Sequence, residues 1–179
     1  MNLFLDTEFT SLRAPRLISL ALVAENGERI YVELDDWEEG DCTEFVRKVV
    51  VPLLDGPRMS RVQAGRDVAA FIERYQFPTV WTDAPEYDAT LLRDLVGGGV
   101  WYDIKPLGAT MQRSAGVWDV IDMEQYGAIM EAEFAKGELR RHHALDDARA
   151  NLIAWRTARR ITKHEALSPI SSVFKSPPV

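Results

Sequence analysis

A chain of 179 residues, 46% hydrophobic and 27% charged, is the size of one ordinary globular domain and long enough for a substantial core. Its formal charge of -7 counts against broad electrostatic attraction to nucleic acid, although bound metal ions would offset part of that charge if some carboxylates are ligands. The longest apolar runs, such as Leu17 to Ala24, are too short to span a bilayer, an acidic pair stands near the amino terminus where a signal peptide would be positive, and the single cysteine, Cys42, allows neither an internal disulfide nor a zinc-thiolate site. A cytoplasmic protein with no membrane contact is expected.

Asn2-Leu3-Phe4-Leu5-Asp6-Thr7-Glu8-Phe9-Thr10 reads as an opening strand. Arg16 to Ala24 is a second, Asn26-Gly27 a tight turn, and Ile30 to Leu34 a third strand pairing back as a hairpin. Asp41 with Glu44 three residues on resembles a capping box, predicting a helix through Phe45, Val46 and Val49 that Pro52 interrupts. Ser60 caps a further helix that ends before Pro78. Thr79 to Thr82 is a short fourth strand, Glu86 to Val96 a helix closed by Gly97-Gly98-Gly99, and Val100-Trp101-Tyr102 a fifth strand. The remainder is mostly helical in pattern, with residues 105–125 ambiguous and a clear helix from Asp146 to about Ile161. Strands first, then helices alternating with strands, predict an α/β domain over residues 1–165, a mixed five-stranded sheet flanked by helices. Residues 166–179, with three prolines and several serines, read as a tail.

Three stretches carry chemistry. In a strand, Asp6 and Glu8 point the same way, and side by side they raise each other's pKa unless a cation lies between them. A lone Asp-x-Glu is commonly an acidic strand end in solvent; here the apolar lead-in sets the pair at the rim of a core. Asp88, after Tyr87, lies one helical turn from Leu91 and Leu92 and so beside a buried face, whereas Asp83 and Glu86 suit ordinary charges at a helix start. In His142-His143-Ala144-Leu145-Asp146-Asp147 the bland reading is a polar loop capped by Asp146. The functional reading places Asp147 on the first helical turn, aimed at a metal, with a histidine on the loop before it. Histidine suits a base that takes a proton from water near neutral pH. Carboxylates holding two divalent ions roughly 3.5 to 4 Å apart would activate water on one side of a phosphodiester and stabilise the leaving oxygen on the other. Hard oxygen ligands select Mg²⁺ or Mn²⁺.

The ordered set Asp6-Thr7-Glu8, Tyr87-Asp88, and His142 with Asp147 five residues on resembles the three exonuclease motifs of the DEDDh family. The closing His-His-Ala-Leu-Asp-Asp-Ala run and the Asp-Thr-Glu-Phe opening are most similar to small bacterial and phage 3′-to-5′ exoribonucleases. The resemblance spans roughly residues 2–160 and implies a ribonuclease-H-like fold, Asp6, Glu8, Asp88 and Asp147 as ligands of two Mg²⁺ or Mn²⁺ ions, and His142 as general base by its spacing to Asp147. The doublet leaves His143 as an alternative base. The family usually seats the 3′-terminal nucleotide at the positions of Thr7, Phe9 and Thr10, with Glu8 also near its sugar. The second motif lacks the Asn usually found ahead of the aromatic-Asp pair, which leaves Asp83 as a rival to Asp88.

Arg140, Arg141 and Arg149 flank the third motif and are candidates for phosphate contact, Arg141 foremost. Arg156, Arg159, Arg160 and Lys163 suit a helix's negative end. The tryptophans could stack bases, but Trp81, Trp101 and Trp155 read as core, and Asp103 as a turn residue. The activity implied is 3′-to-5′ hydrolysis at the 3′ end of RNA, releasing nucleoside 5′-monophosphates, in an enzyme that the family link implies is a homodimer. The alternatives are the same chemistry on DNA, or a nucleic-acid-binding module with a silent site.

Overall fold

The computed structural model describes residues 1–108, 111–114 and 117–163, so the tail expected from 166 lies outside the described residues. Its main sheet has six strands in the order β4-β3-β2-β1-β5-β6: β1 Asn2–Phe9, β2 Leu17–Ala24, β3 Arg29–Leu34, β4 Arg58–Met59, β5 Thr79–Thr82 and β6 Asp103–Pro106. β2 runs antiparallel to its neighbours β1 and β3, whereas β5 runs parallel to β1 and β6 parallel to β5. Helices α1 Arg61–Glu73, α2 Pro85–Val96, α3 Met123–Ala135 and α4 Ala144–Ala158 flank it. This is the mixed α/β sheet expected, with one strand more because the two-residue β4 pairs parallel to β3. No described helix is long and apolar enough to cross a membrane.

The sheet is covered on both faces, which is why β2 reads Leu-Ile-Ser-Leu-Ala-Leu-Val-Ala without polar alternation and is buried at every position. Leu3 and Leu5 pack into the core with Val68, Phe71 and Ile72 of α1 and Leu91 and Leu92 of α2. Phe4, on the opposite face, joins Trp81, Ala148, Leu152 and Trp155, meeting Trp155 edge-on at 5.3 Å. Asp6 and Glu8 continue the Phe4 face by strand alternation and so point toward the α4 side.

Several elements differ from expectation. The capping-box helix does not start at Asp41, which pairs instead with Arg16 at 2.7 Å. Thr43 provides the cap, its hydroxyl accepting from the Val46 N–H at 3.2 Å, and a π-helical turn, Val46–Val50, leads into a 3₁₀ turn, Val51–Leu53. The fifth strand lies at Asp103–Pro106 rather than Val100 to Tyr102, because pairing with β5 begins at Thr79 opposite Asp103. The region read as helical or ambiguous contains a second sheet of β7 Met111–Ser114, β8 Val117–Ile121 and β9 Arg159–Lys163. The last helix therefore stops at Ala158, and Ile161 and Thr162 pair with β8, where β-branched side chains suit a strand.

Candidate active site

β1 pairs with β5 only over Asn2 to Phe4, so its last residues overhang its parallel neighbour. Its pairing with β2 is irregular between Glu8 and Phe9, a local bulge of the kind that re-aims side chains. A crevice therefore opens at the carboxyl end of β1, where its antiparallel and parallel partners diverge. Pro85 at the first turn of α2 and the run Ala144-Leu145-Asp146-Asp147 of α4 bring two helix N-termini to the same place, where the backbone N–H groups favour negative charge.

Asp88, 2% exposed, accepts hydrogen bonds from the Thr7 hydroxyl on one carboxylate oxygen and the Thr82 hydroxyl on the other. Thr7 thus ties Asp88 of α2 to β1 between Asp6 and Glu8. The Asp147 carboxylate accepts from the His142 backbone N–H at 2.9 Å, which gives the five-residue spacing a local structural reason. Glu8, His142 and Asp147 each present a potential ligand atom, all within 4.8 Å of one another. Together with Asp6, Asp88 and Asp83 they line a cleft of 260 Å³.

The electrostatics of the cleft are dominated by carboxylates. Burial, then the charges of Asp147, Asp88, Glu8 and Asp83, holds the Asp6 carboxyl well above its usual range. Glu8 is pushed up to about 8 by burial and then by Asp147, Asp88 and Asp83. Burial raises Asp88 to about 7 against the opposing Thr7 and Thr82 hydrogen bonds, and Asp147 to about 7 against that from His142. Among the described residues no Lys or Arg forms an ion pair with any of these four acids. A cluster of hard oxygen donors with raised pKa values, its one cationic influence among the described residues the Arg141 charge acting on Asp147, fits a divalent ion such as Mg²⁺ or Mn²⁺.

The two histidines occupy different environments. His142 is half-buried, adopts a left-handed backbone with φ 66°, lines the cleft and meets the Phe45 ring edge-on at 5.0 Å. Burial and then the Arg141 charge lower its pKa, keeping the imidazole neutral and able to accept a proton. His143 is 2% exposed and points inward, 4.8 Å from the Tyr31 ring, with Arg140, Asp55 and Asp146 around its nitrogens. His142 is the histidine presented to the cleft.

Phe9 lines the cleft and stacks on Tyr87 at 5.2 Å and 22°. Thr10 does not join it: the side chain is fully buried and its hydroxyl accepts from the Arg16 N–H at 3.2 Å within the following loop. Arg141 reaches the cleft, paired with Glu131 at 2.8 Å and lying over the Phe134 ring. Arg140 and Arg149 turn instead to Asp146. Because α4 starts at Ala144, Asp146 is its third residue and not the cap of the bland reading. Trp81 and Trp155 are core as expected, but Trp101 is 60% exposed and packs edge-on against Phe77, while the side chain of Trp118 lies outside the described residues. Asp103 opens β6 and pairs with Lys105.

Sequence reasoning did not anticipate Met130 and Phe134 of α3 as cleft lining, nor the apolar groove of 400 Å³ that adjoins the cleft along Glu8, Phe9 and His142 and takes in Leu12 and Phe45. No local pattern marks an apolar residue as facing a cleft rather than a core. In comparisons with known proteins, no family model matches the chain and no curated protein is significantly similar to it.

Proposed function

We propose that this chain is a divalent-metal-dependent 3′-to-5′ exonuclease of the DEDDh type, with a ribonuclease-H-like fold, that acts on RNA and releases nucleoside 5′-monophosphates. The observation that carries the reading is the meeting of Asp6, Glu8, Asp88, Asp147 and His142, from three distant stretches of the chain, in one open cleft where, among the described residues, no Lys or Arg forms an ion pair with the carboxylates. Asp6, Glu8, Asp88 and Asp147 would hold the ions, Asp88 oriented by its two threonines. Two such ions, when bound, supply a nucleophilic water at neutral pH and stabilise the leaving oxygen.

The chain's own groups do the rest. His142, neutral by virtue of its burial, takes the proton from the attacking water. Phe9 against Tyr87 offers a flat wall for a terminal base or sugar. Arg141, on the rim and about half exposed, can exchange its Glu131 partner for a substrate phosphate. The bond broken joins phosphorus to the O3′ of the preceding nucleotide, so the phosphate leaves on the terminal one. Without cations the acidic cleft repels a phosphodiester, so the metal requirement should be strict.

The test is a time course on 5′-labelled RNA and DNA of matched sequence, single-stranded and with a 3′ overhang, in Mn²⁺, Mg²⁺ or chelator, beside Asp6→Asn. Products shortening from the 3′ end, faster on RNA, dependent on metal and absent in the variant, are expected. Faster loss of the DNA would move the assignment to the deoxyribonuclease alternative. No cleavage by folded protein under any condition would sink the enzyme reading.

A further inference from the structure

Four consecutive residues, Arg140-Arg141-His142-His143, divide between two destinations, the middle pair to one and the outer pair to the other. Arg141 and His142 reach the cleft, whereas the half-exposed Arg140 and the buried His143 turn to a cluster with Asp55 and Asp146 that the chemistry above does not use.

The Arg140 guanidinium donates through Nε to Asp146 at 2.7 Å and through Nη1 to Asp55 at 2.7 Å and to the Leu53 carbonyl at 3.3 Å. Its Nη2 lies 3.2 Å from both ring nitrogens of His143, and its backbone N–H donates to Asp146 at 3.2 Å. A planar guanidinium with five donors in fixed directions suits such a junction, where a lysine ammonium would not. The far side is fixed as well: Glu33, 2% exposed, accepts from the Asp55 and Gly56 N–H groups at 2.9 and 2.7 Å and from the Tyr31 hydroxyl at 2.7 Å. Tyr31 in turn packs on His143. The chain of contacts runs from β3 through the Asp55 turn to Arg140 and His143 and on to the first turn of α4. Both ends of the two-residue stretch Arg141-His142 are therefore tied to rigid elements, and the stretch itself carries the left-handed φ of 66° at His142.

We propose that Arg140 is a positioning residue that holds His142 over the cleft by clamping the loop to Asp55 and Asp146. The proposal rests on the nuclease reading for its catalytic consequence, but its structural half can be tested without that reading. A purely structural cluster would hold up the fold and affect every step alike. A positioning cluster acts on the rate through His142 alone.

The experiment measures single-turnover cleavage of 5′-labelled RNA with Mn²⁺ for the unaltered protein, Arg140→Gln, His142→Ala and the double variant, together with the ring-proton NMR resonances of His142, which lies beside the Phe45 ring at 5.0 Å. Arg140→Gln should lower the cleavage rate at saturating RNA by about tenfold to a hundredfold, as misplacing a catalytic group does, with little change in KM. In the His142→Ala background the same change should add almost nothing, and the His142 resonances should move in Arg140→Gln. Equal slowing in both backgrounds, or unmoved resonances, would overturn the proposal. Asp55→Asn, which removes a partner whose side chain is 57% exposed, carries the same test if Arg140→Gln loses the fold. If the unaltered protein cleaves neither RNA nor DNA, the nuclease reading fails and the resonances alone decide whether Arg140 positions His142.

Discussion

Asp6 and Glu8 sit where a folded chain can hold two negative charges only at a cost. Asp6→Asn removes a proposed metal ligand and one of the mutually raised acids without emptying a core position. The expected outcome is a loss of turnover on the order of a thousandfold, the scale of several kcal/mol lost from the transition state, with an unchanged circular-dichroism spectrum. The histidine pair separates by kind of effect. His142→Ala should lower kcat by about 10²- to 10⁴-fold while leaving metal affinity and urea midpoint close to those of the unaltered protein. His143→Ala should instead cost about 1–3 kcal/mol in urea denaturation, because it strips a buried ring from Tyr31 and leaves polar groups of the Arg140 cluster without a partner. If the two phenotypes come out reversed, the assignment of the base is wrong.

At the scale of elements, the site depends on where β1 overhangs β5 and on how closely α1 and α2 approach each other. Gly65 of α1 marks that approach: a Cβ there would lie 2.5 Å from the Leu95 carbonyl oxygen of α2, and backbone cannot yield as a flexible side chain would. Gly65→Ala should therefore destabilise by about 1–3 kcal/mol despite the better helix propensity of alanine, as read from the urea midpoint. Local patterns made most of these elements legible beforehand. Thr79–Thr82 was readable from its β-branched and aromatic residues, the end of α2 from three glycines, and the start of α1 from Ser60, whose hydroxyl accepts from the Gln63 N–H. The second sheet was not legible. Its strands are short and interrupted, and Arg159–Lys163 continues directly from a helix, so only pairing with the distant Val117–Ile121 makes it a strand.

For the whole molecule, the raised carboxyls make stability depend on pH and metal together. A carboxyl whose folded pKa exceeds its unfolded value costs nothing while protonated in both states. It destabilises progressively as pH rises from the unfolded value to the folded one. For Glu8 that window runs from 4.5 to about 8, and for Asp88 and Asp147 from 3.8 to about 7. In chelator, the melting temperature should fall between about pH 5 and pH 8, at roughly 2–4 °C for each kcal/mol in a chain of this size. Mg²⁺ or Mn²⁺ should restore it chiefly at the upper end, where the acids are ionised. Glu8→Gln should flatten the metal-free profile. A melting temperature indifferent to both pH and metal would contradict the electrostatic picture of the cleft.

The sequence by itself determined the elements whose signals are local, and with them the candidate acids. Strand alternation put Asp6 and Glu8 on one face, helical spacing put Asp88 beside the core, and the gap of five residues brought the His142 N–H to Asp147. Only the tertiary structure decided which neighbours those residues meet. It turned His142 toward the cleft and His143 away, buried Thr10, paired Arg140 with Asp55 and Asp146 while Arg141 lines the cleft, and set Phe45 and Phe134 at the walls. The physical reason is range. Backbone periodicity is fixed by residues three or four apart, whereas the direction a loop side chain takes is set by partners such as Asp55 and Tyr31, more than eighty positions away along the chain.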